Sequence, residues 1–264
     1  MALRNSSQQD LLREDHGKVA VLTLNRPDAR NALSESLLDA LQNSLDQIKD
    51  DQGVNVVVLK AAGPGFCAGH DMREVLGNRQ RSYYEWLFAK CSQMMSTIKA
   101  LPQPVIAAVQ GAAMGAGAQL AATCDMVIAS TEARFATPGV NIGLWCTTPS
   151  VAVSRSVGQK AAMEMLLTGD MIDAEAAQRF GLVNRIVPAD ALFDEAMALA
   201  QKIATKSRLV VSLGKEAFYR QAEMNIADAY TYSAEVMTHN MLKDDAAEGL
   251  AAFLDKRQPQ WTNS

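Results

Sequence analysis

The sequence predicts an α/β protein with a helical C-terminal region, and three observations carry that prediction. Residues 54–60 and 105–110 are almost continuously apolar, which is typical of parallel strands covered on both faces. Each is followed by a glycine-rich loop and then by a segment of helical periodicity. From about residue 190 to residue 256 the pattern is helical only. Repeated strand–loop–helix order favours a sheet with parallel pairs.

The first elements after a polar tail are a strand and a helix. Residues 18–25 alternate in polarity and are rich in Val, Leu and Thr, which predicts a strand. Ser34 is predicted to cap a helix whose apolar face is formed by Leu37, Leu38, Leu41, Leu45 and Ile48. Gly53 ends that helix, and the buried strand 54–60 follows.

The later elements repeat this order. A helical stretch with Met72, Val75 and Leu76 follows the first loop, and a longer helix is predicted over 83–100. Pro102 and Pro104 stop it, because proline cannot continue a helix. The strand 105–110, a short helix from Ala118 and a strand over 126–129 complete the pattern.

Composition excludes several classes of protein. The 264 residues suit one large domain, with 48% hydrophobic and 20% charged residues. A net charge of -4 gives no global attraction to nucleic acid or to an anionic membrane, so an anionic ligand requires a local basic cluster. No apolar run reaches the ~18 residues of a membrane span.

The N-terminal segment and the cysteines indicate a compartment. The first residues carry acids and lack an apolar core, so neither a secretory signal nor a mitochondrial presequence is predicted. Four cysteines without metal-ligand spacing indicate reduced thiols, and we expect a cytoplasmic location. Three dispersed histidines predict no metal site, and no cofactor is expected.

Two glycine-rich loops carry most of the functional information. They span Gly65–Asp71 and Gln110–Leu120, each between a buried strand and a helix. Small residues allow close backbone approach to a ligand, and a helix start offers unpaired N–H groups. Two such ends that meet across a pocket form a two-donor oxyanion hole. Either loop alone is more often a packing turn.

A dinucleotide site is the competing interpretation of the second loop. Its G-x-G at Gly115 and Gly117 is followed by Leu120, where a small residue is required, so the fingerprint fails. Neither loop matches the G-x-x-x-x-G-K-[ST] phosphate-binding pattern.

Nine short motifs in order resemble the enoyl-CoA hydratase (crotonase) family over residues 18–257. They are L-N-R-P-x-x-x-N-A-L (Leu24–Leu33), F-C-A-G-H-D (Phe66–Asp71), P-V-I-A-A-V-Q-G (Pro104–Gly111), G-A-G (Gly115–Gly117), C-D (Cys124–Asp125), F-A-T-P-G-V (Phe135–Val140), M-L-L-T-G-D (Met165–Asp170), A-x-x-x-G-L-V (Ala177–Val183) and A-F-L-x-K-R (Ala252–Arg257).

The resemblance implies a fold and an assembly. It implies a spiral of β-β-α units over 18–190, after a polar tail of residues 1–17. A C-terminal helical region, 191–264, would assemble trimers or paired trimers. The ligand would be an acyl-CoA thioester, so CoA is part of the substrate.

The resemblance also implies site residues. The oxyanion donors would be the N–H groups of His70 and Ala116. Residues implied to line the acyl-CoA site are Arg26, Ala29, Arg30, Ala68, His70, Asp71, Met72, Arg73, Gln119, Gly139, Phe253 and Lys256. Arg26, Arg30, Lys256 and Arg257 could supply the local positive charge, although each alone is more often a solvated surface residue.

The chain departs from the family pattern at two positions. Hydratases hold a water between two glutamates, and here those positions are Gln119 and Gly139. Glutamine can orient a water but cannot accept its proton at neutral pH, and glycine has no side chain. General acid–base catalysis contributes about 10²–10⁴-fold, so ordinary hydration should be crippled.

Other residues near the loops are candidates for the missing role. Asp71 and Glu74 suit helix capping or the surface, since acids are favoured in a first helical turn. The His70 side chain could face into or away from the pocket. Asn141, Cys146, Thr147 and Thr148 could line the acyl end, and Trp145 could limit the size of the pocket.

Three functions remain open from the sequence. The first is an acyl-CoA enzyme of the lyase or isomerase class in acyl-CoA or fatty-acid metabolism. It would rely on the oxyanion hole, as in decarboxylation of a malonyl-type CoA. The second is a hydratase with unconventional residues. The third is a non-catalytic acyl-CoA binder or regulatory subunit.

Overall fold

The computed structural model describes residues 9–264. The described strands are, in order, β1 (Leu11–His16), β2 (Val19–Leu24), β3 (Val56–Ala61), β4 (Val105–Val109), β5 (Ala112–Met114), β6 (Met126–Ser130), β7 (Arg134–Ala136), β8 (Ile172–Asp173) and β9 (Arg185–Val187). The described α-helices are α1 (Glu35–Asp50), α2 (Met72–Gly77), α3 (Arg81–Ala100), α4 (Ala116–Thr123), α5 (Thr147–Ser156), α6 (Gln159–Thr168), α7 (Ala174–Phe180), α8 (Leu192–Ala204), α9 (Arg208–Gln221), α10 (Ile226–Met241) and α11 (Asp244–Leu254).

The strands form two sheets. The larger sheet has the order β1-β2-β3-β4-β6-β9, with β1 antiparallel to β2 and the other neighbours parallel. The smaller sheet has the order β5-β7-β8. The predicted α/β fold and its helical C-terminal region are therefore confirmed.

Two local predictions differ from the structure. Part of the polar tail, Leu11–His16, forms β1, and Leu11 pairs with Leu24. Its residues are half-buried or exposed, so the strand lacks the alternation that marks a core strand. Residues 1–8 of that tail lie outside the described chain. Helix α4 begins at Ala116 rather than Ala118, because Gly115 takes φ 53° and turns the chain directly into the helix.

The apolar strands are covered on both faces by helices. Val19, Val21, Val56 and Val58 pack with Leu192 and Ala196 of α8 on one face. The alternate strand residues face the other way, into a core that includes apolar residues of α1 and α3. Predicted N-cap Ser34 accepts a hydrogen bond from the Leu37 N–H at 3.2 Å. Burial on both faces explains why these strands read as continuous apolar runs.

Helix α9 is bound to the sheet by a half-buried carboxylate. Asp125, between α4 and β6, accepts hydrogen bonds from Lys215 Nζ at 2.7 Å and Tyr219 OH at 2.7 Å. It also accepts the Val105 N–H at 2.6 Å, and Lys215 donates further to the Ile98 carbonyl at 2.9 Å. Burial lowers the pKa of Lys215, and the Asp125 charge opposes that shift. One ionic cluster thus joins α9 to the starts of β4 and β6.

The last two helices expose large apolar side chains. Tyr230 and Met237 on α10 are 73% and 58% exposed, and Phe253 and Leu254 on α11 are 81% and 77% exposed. Exposed apolar patches of this kind commonly mark contact surfaces.

Among residues 9–264, no helix combines the length and hydropathy needed to cross a bilayer. The same residues contain no cluster of three or more His, Cys, Asp or Glu side chains suited to a metal ion.

Candidate functional site

The two glycine-rich loops are in direct backbone contact. Cys67 pairs with Ala113 in a parallel bridge, and the Met114 N–H donates to the Cys67 carbonyl at 2.9 Å. At Gly69 (φ +90°), a Cβ would lie 2.9 Å from the Met114 carbonyl oxygen and 3.2 Å from the Ala116 nitrogen. A side chain at position 69 would therefore force the loops apart. The residue before His70 lies against the residue that starts α4.

This contact brings two unpaired backbone donors together. The N–H groups of His70 and Ala116 have no hydrogen-bond acceptor among residues 9–264. The Leu33 N–H donates to the Gly69 carbonyl at 2.7 Å and the Asp71 N–H donates to the Leu33 carbonyl at 3.1 Å, leaving the His70 N–H outside this ladder. Ala116 is the first residue of α4, where N–H groups lack intrahelical partners. Two free donors on neighbouring loops can polarise a carbonyl oxygen.

Two buried or half-buried amides hold the first loop in place. Asn31 donates to the carbonyls of Ala62 at 2.8 Å and Gly65 at 2.9 Å, and it is completely buried. Gln110 donates at 3.0 Å to the Gly65 carbonyl among others, at the start of the second loop. Sequence reasoning missed both residues as positioning groups. The sequence signal that could have identified them is a polar amide side chain within an otherwise apolar motif.

Arg26 and Asp71 form an internal pair rather than a charged surface. The Arg26 side chain is only 7% exposed. It bonds to the Asp71 carboxylate at 3.0 Å and to the Ala32 carbonyl. Asp71 also caps α2 by accepting the Arg73 N–H at 3.2 Å. The pair connects the turn at 26–31 to the first loop, so the positive charge of Arg26 is already neutralised.

The remaining predicted binding residues fall into two groups. Ala29 and Arg30 lie in the turn, and the Arg30 carbonyl accepts the Ala68 N–H at 3.0 Å. Met72 and Arg73 begin α2 and are exposed beside that loop. Phe253 and Lys256, at the end of α11, make no hydrogen bond or ion pair to either loop in the described chain. Arg257 is paired with Glu248 at 2.6 Å. The structure therefore joins the turn to the first loop and shows no polar contact between the loops and Phe253 or Lys256 among residues 9–264.

The His70 imidazole is buried without a polar partner. Neither ring nitrogen has a hydrogen-bond partner in the described chain, and the ring lies edge-on to Phe88 with centroids 5.7 Å apart. Burial lowers the pKa of His70 to about 4. The imidazole is therefore neutral at pH 7 and beside the unpaired N–H of its own residue.

Gln119 lies one helical turn beyond Ala116 and opens onto a cavity of about 640 Å³. The side chain is 4% exposed, and its Oε1 atom has no hydrogen-bond partner within the described chain. Helices α3, α4, α5 and α9 form the cavity wall. Thr148 lines this cavity and Trp145, which is 45% exposed, does not.

Packing excludes a side chain at Gly139, the second position that departs from the family pattern. A Cβ there would lie 2.7 Å from the Leu144 carbonyl oxygen and 2.8 Å from the Cys146 sulfur. The segment 143–146 folds onto position 139, and the Leu144 N–H donates to the Gly139 carbonyl at 2.9 Å. Burial raises the pKa of Cys146, so its thiol is neutral at pH 7. A glutamate cannot be accommodated at position 139 without displacing this segment.

The described chain thus forms a helix-covered sheet whose two glycine-rich loops touch, with a backbone N–H on each that has no acceptor among residues 9–264. Comparison of the sequence with models of known protein families identifies one family. The sequence model of the enoyl-CoA hydratase/isomerase family matches residues 14–264. The chain belongs to that family, whose members are enzymes of the lyase and isomerase type.

Relatives and solved structures agree over nearly the whole chain. Enoyl-CoA hydratase domain-containing protein 3, mitochondrial, of Xenopus laevis is 43% identical over 254 residues, covering 96% of this chain and 86% of that protein. A crystal structure of enoyl-CoA hydratase from Mycobacterium smegmatis has a TM-score of 0.94 at 49% identity, covering 96% of this chain and 99% of that chain. The human enoyl-CoA hydratase domain-containing protein 3 structure has a TM-score of 0.93 at 42% identity, covering 96% and 100%. The predicted crotonase-like fold is confirmed.

The comparison corrects the predicted compartment. The frog, rat, human, mouse and zebrafish relatives are all named as mitochondrial proteins. The prediction of a cytoplasmic location is therefore wrong. It rested on acidic residues in the first residues of the chain and on dispersed cysteines, and reduced thiols do not distinguish one reducing compartment from another.

Gly139→Ala should destabilise the protein by about 1–3 kcal/mol, because the new methyl group overpacks against a backbone carbonyl. Gly214→Ala is the control, since position 214 is an open site inside α9. There the substitution should stabilise by about 0.5–1 kcal/mol through backbone entropy. Thermal unfolding of both variants measures the difference. A neutral or stabilising effect of Gly139→Ala would contradict the described packing.

His70 should make the protein lose stability as pH falls from about 6.5 to about 4. In that window the unfolded chain binds a proton that the folded chain does not, so the free energy of unfolding drops. The full loss in the free energy of unfolding is about 3 kcal/mol, because each pH unit between the two pKa values contributes ~1.4 kcal/mol. Urea unfolding at pH 7 and pH 5 should show a smaller loss for His70→Gln. His16→Gln, at an exposed position, should follow the wild type; equal losses in all three proteins would refute the assignment.

Proposed function

We propose that the protein binds an acyl-CoA thioester and stabilises its enolate through the N–H groups of His70 and Ala116. The observation that carries this proposal is the pair of unpaired donors on touching loops. Enolate charge develops on the thioester oxygen during the reaction, and preorganised donors aimed at developing charge lower the barrier. The setting would be acyl-CoA or fatty-acid metabolism, as family membership suggests.

Family membership supports the thioester as the ligand, and the local geometry supports how it is bound. Arg30 is an exposed cation in the turn whose backbone meets the first loop. Met72 and Arg73 project from the start of α2 beside it. Phe253 and Lys256 make no hydrogen bond or ion pair to either loop in the described chain, and we propose that they contact a CoA held by a neighbouring subunit of a trimer or paired trimers. The exposed apolar residues of α10 and α11 support assembly through region 191–264.

Ordinary hydration is not the activity we propose. It needs one group to take a proton from water and another to deliver one to Cα. Gln119 can hold a water through its unpaired Oε1 atom but cannot take its proton. Position 139 offers no side chain, and the segment 143–146 fills the space beside it. Neutral His70, with a pKa of about 4, is a weak base.

A reaction that forms the enolate without removing a proton fits this site best, and decarboxylation of a malonyl-type CoA is such a reaction. The bond from Cα to the carboxylate breaks, its electron pair passes into the thioester enolate, and carbon dioxide leaves. A proton from water then neutralises Cα. The donors at His70 and Ala116 would stabilise the enolate, and no general base is required.

Turnover by the full-length protein on malonyl-, crotonyl- and β-hydroxybutyryl-CoA tests this proposal, with Ala116→Pro as the main variant. Proline is tolerated at the first position of a helix but has no N–H. Its turnover should fall about 10²–10³-fold, the usual loss for one oxyanion donor. Ala116→Gly retains the N–H, so the ratio between the two variants measures the donor itself.

Four outcomes separate the hypotheses. Hydration of crotonyl-CoA by the wild-type protein would show that it is a hydratase after all. Hydration only after Gln119→Glu would support the proposal that the native chain is not a hydratase. Tight binding by calorimetry without turnover of any ester would indicate a non-catalytic binder. Neither binding nor turnover would refute the proposed function.

A further inference from the structure

The cavity beside Gln119 runs along one face of α4. Ala116, Gln119 and Thr123 are three and four residues apart, so they lie on the same side of the helix. Gln119 and Thr123 line the cavity. The eight residues of α4 rise about 12 Å from the Ala116 donor to the end of the helix. An acyl group whose carbonyl lay at Ala116 would therefore enter the cavity at Gln119 and extend towards Thr123.

The far end of this cavity is cationic. Lys99 lines it and interacts electrostatically with Asp125, two residues after the end of α4. Arg155 lines it too, and the neighbouring Ser156 hydroxyl donates to the Ala122 carbonyl at 3.0 Å. Both cations thus lie at the C-terminal end of α4, opposite the Ala116 donor.

Arg155 lies close to a carboxylate, whereas Lys99 has no hydrogen bond or ion pair among residues 9–264. Arg155 Nε lies 3.3 Å from the Glu223 carboxylate. Lys99 Nζ lies 4.0 Å above the Tyr219 ring and makes no hydrogen bond or ion pair within the described chain. Asp125, whose charge acts on Lys99, is already bound by Lys215, Tyr219 and the Val105 N–H. An ammonium group has three donors to satisfy.

A simpler account places Lys99 near the C-terminus of α3 to complement the helix dipole. That account explains why a cation occurs in the last turn. It does not explain why the ammonium is half-buried over Tyr219 in the cavity wall, without a carbonyl partner. Burial lowers the pKa of Lys99, and the charge of Asp125 opposes that shift.

We propose that this cavity receives an acyl group that ends in a carboxylate, and that Lys99 binds this carboxylate. The inference rests on the proposed acyl-CoA binding and is independent of the reaction at the thioester. The apolar side chains of Met95, Val151 and Phe218 would contact the methylene groups between the two ends. The charged end would replace the missing partner of Lys99 with a charge-assisted hydrogen bond.

Calorimetric titration of the full-length protein with matched CoA esters tests this inference. The pairs are octanoyl-CoA against suberoyl-CoA and decanoyl-CoA against sebacoyl-CoA, which within each pair have equal chain length and differ in the terminal carboxylate. At least one dicarboxylyl ester should bind wild type about tenfold more tightly than its partner, the order expected for one hydrogen bond to a charged group. Lys99→Met should remove the preference, and Lys99→Arg should retain most of it.

Lys160→Met is the control, because Lys160 is an exposed lysine of α6 outside the cavity. It should retain the wild-type preference. Equal affinity for the esters within both pairs in wild type would overturn the inference and leave the proposed function intact. Loss of preference in the Lys160 variant, or its persistence in folded Lys99→Met, would also overturn it. Absence of binding by all four esters would overturn the proposed function and this inference with it.

Discussion

The site depends on one steric constraint, the backbone contact between the two glycine-rich loops. Gly69 packs against the Met114 carbonyl and the Ala116 nitrogen at distances that exclude a side chain. Each loop follows a buried parallel strand, so the sheet sets where each loop begins, and the contact sets how closely they meet. Amide side chains of Asn31 and Gln110 satisfy the loop carbonyls that this arrangement leaves exposed. The N–H groups of His70 and Ala116 stay without an acceptor in the described chain, although the carbonyls of the loop around them are bonded.

The same surroundings explain why the two departures from the family pattern differ in kind. Gln119 keeps the size of a glutamate and lies in a cavity, so restoring a carboxylate there is a small chemical change. Gly139 is held beneath a folded segment, and restoring a side chain there requires that segment to move. The loss at position 139 is thus structural as well as chemical. A single substitution would not return this chain to a two-carboxylate site.

The fold was predictable from the sequence wherever local pattern and burial agree. The Ser34 cap, the two-sided strands and the helical C-terminal region follow from periodicity and capping chemistry. Strand β1 was not predictable, because its half-exposed residues pair with β2 without an apolar face. The site was predictable in part. The glycine-rich loops predicted two helix starts that meet, and the family resemblance assigned the donors to His70 and Ala116. The burial of Arg26 against Asp71 was not predictable, because it depends on residues 45 positions apart. The Lys99 environment likewise depends on α9, more than 100 residues later.

Tyr219 belongs at once to the cluster that binds α9 and to the wall of the cavity. Its hydroxyl is fixed by Asp125, and its ring supports Lys99. This double role limits how the protein can diverge. Mutations that widen or shorten the cavity through Tyr219 would also loosen the C-terminal helices, so natural variation in ligand size should accumulate on the opposite walls. Ser92 and Val151 line the cavity but do not bond to Asp125 in the described chain, so these are the positions where related chains should differ first.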